Sequence, residues 1–250
     1  MPTLDMNCDM GESFGPWNMG NDIAILPHVS SVNIACGFHG GDPDVMLATV
    51  RAAVAHGVAI GAHPGLPDLQ GFGRRAMAVS PQEVYAMVVY QVGALRGFTS
   101  ASGTTLRHVK PHGALYNMTA ANRPLADAVA QAVFDVDPTL MMYVANANMT
   151  EASRAKGLPL VFEVFADRSY QDDGTLTPRN QAHAMIEDVE QSIIQVKRMV
   201  HEGTVVALSG REVKIAADTL CIHGDQPGAV VFAQRIRQAM EADGVTVRAR

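Results

Sequence analysis

Ionisable residues recur in this chain where short apolar runs give way to glycine. The first run reads Asp5-Met6-Asn7-Cys8-Asp9-Met10-Gly11-Glu12. A strand period of two puts Asp5, Asn7 and Asp9 on one face and Met6, Cys8 and Met10 on the other. Burying three such polar groups is costly unless they are paired or used, which favours a working face over a solvated edge. The second run ends Asn33-Ile34-Ala35-Cys36-Gly37-Phe38-His39-Gly40-Gly41-Asp42 and the third Gly61-Ala62-His63-Pro64-Gly65. The fourth, His108-Val109-Lys110-Pro111-His112-Gly113, places His108 and Lys110 on one side; Pro111 weakens the parity for His112. Glu163, Phe165 and Asp167 precede Arg168 in a later run, and Cys221-Ile222-His223-Gly224-Asp225 closes the series. Carboxylates beside several imidazoles suit attack by water, through general acid–base groups or a bound metal. For a metal, Asp9, His39 and His63 are the expected trio. Lys110 suits an anion clamp or an oxyanion stabiliser. The Gly- and Pro-rich loop 64–75 ends in Arg74-Arg75, a pair able to grip a carboxylate. No HxH or HExxH signature demands a metal.

The elements that must hold these residues alternate along the chain. Strands are predicted at 3–8, 31–36, 58–63, 106–110, 139–145, 160–166, 204–208 and 219–223, short and rich in Val, Ile, Leu and Met. Helices are predicted at Asp42–His56, Ser80–Phe98, Asn122–Phe134, Ala147–Lys156, Gln181–Glu202 and Ala229–Ala242. Asp42 and Ser80 stand as N-caps ahead of Pro43 and Pro81, Glu83 completes a capping box, and Gly157, Gly203 and Gly244 follow three of the C-termini. Such alternation implies a parallel α/β sheet. No GxGxxG or GxxxxGK[ST] follows any strand, and the polar residues gather at the C-terminal strand ends, where barrel active sites are built. The expectation is one β/α-barrel domain spanning residues 1–250, TIM-like, with seven or eight strands.

Bulk properties narrow the class. A chain of 250 residues buries roughly three quarters of its unfolded surface and needs no covalent staple. A formal charge of −6 gives no basic footprint for nucleic acid. The three cysteines form no CxxC pair, which suits a reducing compartment, and Cys8 and Cys36 have the parity of core positions. Neither a signal-peptide pattern nor an apolar run of about 20 residues is present, so a cytoplasmic protein with no membrane role is expected.

Seven segments taken in order resemble the LamB/YcsF family: DMNCDMGE from Asp5, CGFHGGDP from Cys36, GAHPG from Gly61, FGRR from Phe72, VKPHGALYN from Val109, EVFADR from Glu163 and CIHGD from Cys221. The resemblance covers nearly the whole chain. It implies a barrel akin to the glycoside hydrolase/deacetylase superfamily and a part in 5-oxoprolinase, the ATP-dependent opening of the lactam 5-oxo-L-proline to L-glutamate, with partner subunits B and C. On that basis Asp9 or Glu12, with His39 and His63, would position water. Lys110 and Arg75 would hold a carboxylate or phosphate, and His112 would shuttle a proton. Asn7, Asp42, Arg74, Asp167, Arg168, His223 and Asp225 would complete substrate binding. ATP would be the co-substrate of the complex, a divalent metal is allowed, and homo-oligomerisation is open. Two other readings stand beside this one: a stand-alone metal-dependent deacetylase or amidohydrolase, and a non-catalytic protein that binds a metabolite within a complex.

Overall fold

The computed structural model describes residues 2–222 and 228–250. In chain order, β1 (Thr3–Met10), α1 (Asp22–Ile25), β2 (Ser31–Ala35), α2 (Pro43–Ala55), β3 (Ala59–His63) and α3 (Pro81–Ala101) come first. They are followed by β4 (Leu106–Val109), α4 (Gly113–Ala121), α5 (Arg123–Val136), β5 (Met141–Val144), α6 (Ala147–Ala155) and β6 (Leu160–Phe165). The last third holds α7 (Val189–Glu202), β7 (Thr204–Val206), β8 (Glu212–Lys214), β9 (Thr219–Ile222), α8 (Ala229–Ala242) and β10 (Thr246–Val247). Strands β1, β2, β3, β4, β5, β6 and β9 pair in parallel, and β9 returns to β1, which closes the barrel; β10 adds to β1 at its start. Among the described residues no helix is long and apolar enough to cross a membrane.

Local chemistry explains the elements. The Asp42 carboxylate caps α2 by accepting from the backbone N–H groups of Asp44 and Val45, both at 2.9 Å. Ser80 and Glu83 make the reciprocal capping box of α3. Three departures from the sequence expectation have physical reasons. The 204–208 segment is not a barrel strand: only Thr204–Val206 is extended, and it folds back antiparallel on Glu212–Lys214 through a turn at Gly210. The helix expected from Gln181 begins at Val189, where Asp188 supplies the cap. Helix α4 forms where the sequence predicts none, because its start at Gly113 lies directly behind Pro111 and His112 with no side-chain cap.

The alternation in β1 sorts two environments. Met6, Cys8 and Met10 are fully buried in the apolar core cluster. Asp5 and Asn7, equally buried, take part in a polar barrel interior. The Asp5 carboxylate accepts from Ser30, Ser31, Thr219 and Tyr143 hydroxyls at 2.6–2.8 Å, which offsets the cost of burying the charge. Above it the strand register aligns Asp9 with Asn33, Asn33 with Gly61 and Gly61 with His108. The His108 ring fills the space a side chain at position 61 would take: a Cβ there would lie 2.1 Å from it. Gly61→Ala is therefore expected to destabilise the fold by about 1–3 kcal/mol or more through overpacking. Urea unfolding checks this, and an unchanged midpoint would count against the packing account.

Candidate active site

Strand β1 carries Asp9 next to its last residue, β3 ends in His63, and the chain leaving β4 carries Lys110 and His112, so four polar groups meet at the C-terminal mouth of the barrel. Lys110 is the hub. Its Nζ lies 2.9 Å from Asp9 Oδ1, 2.9 Å from Glu163 Oε1, 3.3 Å from Asn7 Oδ1 and 3.1 Å from Cys221 Sγ. Burial works against the ammonium, but Asp9, Cys221 and Glu163 outweigh it and hold Lys110 well above its ordinary range. Burial likewise opposes the Asp9 carboxylate, yet His63 and Lys110 keep it well below the usual carboxylate range. Asn33 Nδ2 donates to Asp9 Oδ1 at 2.8 Å, and Tyr116 donates to Glu163 Oε2 at 3.0 Å. All three ammonium hydrogens of Lys110 are thus engaged by protein acceptors. This changes its expected part: it fixes two carboxylates rather than reaching freely for an anion.

Beside this hub lie three histidines. His63 Nε2 is 3.3 Å from Asp9 Oδ2 and 2.9 Å from His112 Nδ1. His39 Nε2 is 3.3 Å from Glu12 Oε1. Gly73, at φ 62°, lets the loop after β3 pass over them; a Cβ there would stand 2.6 Å from His39 Cβ and 2.9 Å from His112 Cδ2. Burial, with help from His112 and His63, pushes His39 well below its ordinary value, and burial with His63 brings His112 down to about 3. Glu12, His39, His63 and His112 each offer a donor atom within 4.8 Å of the others, a grouping compatible with a divalent metal.

A cavity of about 490 Å³ opens over this centre. Asp9, His63, Lys110 and His112 line it together with Arg74, Arg168 and Arg179. Arg168 is buried and donates to the carbonyls of Thr177 at 2.5 Å and Ala184 at 3.4 Å. Burial and the nearby Arg179 lower its pKa. A pocket walled by guanidinium groups favours an anionic ligand.

The structure therefore brings together Asp9, Glu12, His39, His63, Lys110, His112, Arg74 and Arg168, with Asn7 directly beneath as a support for Lys110. It places others elsewhere. Asp42 is committed to capping α2 and to the Gly15 N–H at 2.8 Å. Arg75 points to Asp68, with Nε 2.9 Å from Oδ1, and is absent from the cavity lining, so Arg74 is the arginine of that pair beside the site. Asp167 lies at a neighbouring cavity bounded by Arg179, Val189 and Phe232. His223 and Asp225 lie outside the described residues. Sequence reasoning gives no individual role to Asn33, Tyr116, Arg179 and Cys221, and names Glu163 only as an ionisable residue of its run. Parity along β6 points to Glu163, which shares a face with Phe165; nothing local singles out Arg179 in its long loop.

Fold and site define a β/α-barrel protein with a carboxylate–histidine–lysine centre at the C-terminal ends of its strands. The chain belongs to the LamB/YcsF family, whose model matches residues 4–250. It is 69% identical over 248 residues to the second of two A-type 5-oxoprolinase subunits of Bordetella bronchiseptica, covering 99% of both chains. It is 55% identical to the A-type 5-oxoprolinase subunit of Geobacillus thermodenitrificans, over 100% of this chain and 97% of the other. The crystal structure of the lactam utilization protein from Thermus thermophilus superposes with a TM-score of 0.96 at 51% identity, covering 99% of this chain and 100% of that one.

Proposed function

We propose that this chain is the A-type component of an ATP-dependent 5-oxoprolinase and that its cavity opens the lactam ring of 5-oxo-L-proline to give L-glutamate. The observation that carries the reading is the join between near-complete alignment with relatives of that name and a cavity combining Asp9, His63, Lys110 and His112 with three arginines. A five-membered lactam resists water because its amide is resonance-stabilised and its ring recloses readily. Phosphorylation of the carbonyl oxygen at the expense of ATP makes the carbon electrophilic. Partner subunits B and C share in that coupling, since this chain carries no phosphate-loop motif. ATP would place the reaction in the cytoplasm.

The residues divide the work by what they can reach. Arg74, Arg168 and Arg179 hold the substrate carboxylate or phosphate by charge. Asp9, kept ionised by Lys110, orients the attacking water at its Oδ2 side, because Oδ1 already accepts from Lys110 and Asn33. His112 is held through its Nε2–H, which donates to the Phe72 carbonyl at 2.8 Å, and turns Nδ1 towards His63. Mixing the purified chain with subunits B and C, 5-oxoproline and ATP is expected to produce glutamate. No glutamate would sink the assignment. Glutamate formed by this chain alone without ATP would replace it with a stand-alone amidohydrolase.

A further inference from the structure

The tautomers of His63 and His112 are fixed by groups that can only accept. His63 Nδ1 lies 2.6 Å from the carbonyl oxygen of Lys110, and His112 Nε2 lies 2.8 Å from that of Phe72. Each of those nitrogens therefore carries a hydrogen and donates it. In neutral rings the two remaining nitrogens, His63 Nε2 and His112 Nδ1, then face each other as lone pairs at 2.9 Å. Asp9 Oδ2 stands 3.3 Å from the first and Glu12 Oε1 3.6 Å from the second. Four acceptor atoms thus converge around a ring pair whose hydrogens are used elsewhere, and both rings are nearly inaccessible to water. Such an arrangement is costly unless a positive charge sits in it. One proton shared between the rings would join only the two nitrogens and draw in neither carboxylate. A divalent ion can serve the ring nitrogens and the carboxylate at once.

We propose that Glu12 Oε1, His63 Nε2 and His112 Nδ1 form a three-ligand site for a zinc-type divalent cation, with His39 holding Glu12 in place from outside the ligand set. Zinc–imidazole bonds of about 2.0–2.1 Å put two nitrogens on one ion roughly 2.9–3.4 Å apart, and the observed 2.9 Å falls at that spacing. His39 has a donor atom close enough, but its orientation excludes it. Its ring lies parallel to that of His112, at 2° with centroids 3.6 Å apart, so their in-plane lone pairs run side by side instead of converging. Its Nε2 faces Glu12 Oε1 at 3.3 Å, the position of an N–H donor that orients a ligating carboxylate. The trio expected from sequence, Asp9, His39 and His63, is thereby redrawn. Asp9 stays at the rim with one oxygen bound to Lys110 and Asn33. Two histidines and one glutamate with a position left open match catalytic rather than structural zinc sites, and such an ion would polarise water or a carbonyl when bound.

The test reads metal, so it is separable from the lactam assignment. Tag-free full-length protein is stripped with a chelator, dialysed against zinc chloride and analysed for bound metal. One zinc per chain is expected. His63→Gln and His112→Gln should each weaken binding at least a hundredfold, while His39→Gln should cost about tenfold. His201→Gln, on a surface residue paired with Asp243, should leave it unchanged. A zinc-dependent rise in the melting temperature of the wild type, absent in Glu12→Gln, supplies a second reading should a histidine variant fold poorly. Substoichiometric zinc in the wild type overturns the proposal, as does binding that survives both His63→Gln and His112→Gln. A His39→Gln loss equal to theirs overturns the outer role of His39.

Discussion

Replacing Lys110 with methionine is expected to lower glutamate formation by the reconstituted enzyme about a hundred- to a thousandfold and to destabilise the chain by about 3–5 kcal/mol. Methionine matches the stem of lysine in length, so the loss is one of charge and hydrogen bonds. Asp9 and Glu163 are each 2.9 Å from the ammonium, and the Glu163 side chain is completely shielded from water. Without the cation Glu163 is left in a dry site with no neutralising partner, and Asp9, at the cavity rim, loses the ammonium at its Oδ1. Loss of the ammonium also removes the charge that holds Glu163 in line with its donors Asn7 and Tyr116. A second variant separates the two consequences. Lys110→Met combined with Glu163→Gln removes one of the stranded charges, so it should regain much of the stability seen in urea unfolding. Activity should stay low, since Asp9 still lacks its partner. A Lys110→Met enzyme with wild-type turnover would refute the hub, and a double variant no more stable than the single one would refute the charge argument.

How far these residues can be read from sequence depends on how local their positioning is. Period two in β1 correctly separates Asp5, Asn7 and Asp9 from Met6, Cys8 and Met10, because side-chain direction in a strand follows from the backbone alone. Caps at Asp42 and Ser80 are equally legible, since the acceptor and its N–H donors lie within three residues. The same signal misleads at Asp42: a residue occupied as a cap has no oxygen to spare for substrate. Arg74 and Arg75 cannot be told apart by sequence, because the turn that sends Arg75 to Asp68 runs through Phe72 and Gly73, both at positive φ. The 204–208 run has strand composition, yet its fate depends on pairing with Glu212–Lys214. His112 needs three dimensions most of all. Parity fails after Pro111, and only the Phe72 carbonyl, forty residues away in sequence, fixes which nitrogen meets His63.

Lowering the pH from 7 to 5 is expected to cost about 2 kcal/mol of stability through His108 alone. The residue sits inside the barrel below the cavity, with its ring stacked on Tyr143 at 4.0 Å and 7°. Its Nε2 donates to Asn33 Oδ1 at 2.7 Å, while Nδ1 is buried and has no hydrogen-bond partner among the described residues. Adding a proton at Nδ1 would create an unsatisfied buried N–H and a charge close to Lys110. Burial first, and Lys110 second, accordingly bring His108 down to about 3. The sign follows from which state binds the proton. Between about pH 6.5 and the folded value the unfolded chain is protonated and the native one is not, so stability is complete above about 6.5 and falls as the pH drops. The slope is at most about 1.4 kcal/mol per pH unit for one histidine. Urea unfolding of the wild type and of His108→Gln at pH 7 and pH 5 isolates this contribution, because all other titrations are shared. The wild type should lose about 2 kcal/mol more than the variant over that interval; equal losses would show that His108 takes up its proton as readily when folded. Asn33 joins this histidine to Asp9 through its Nδ2. Because the folded chain keeps His108 neutral over this interval, that link to the active site is expected to persist until the barrel itself unfolds.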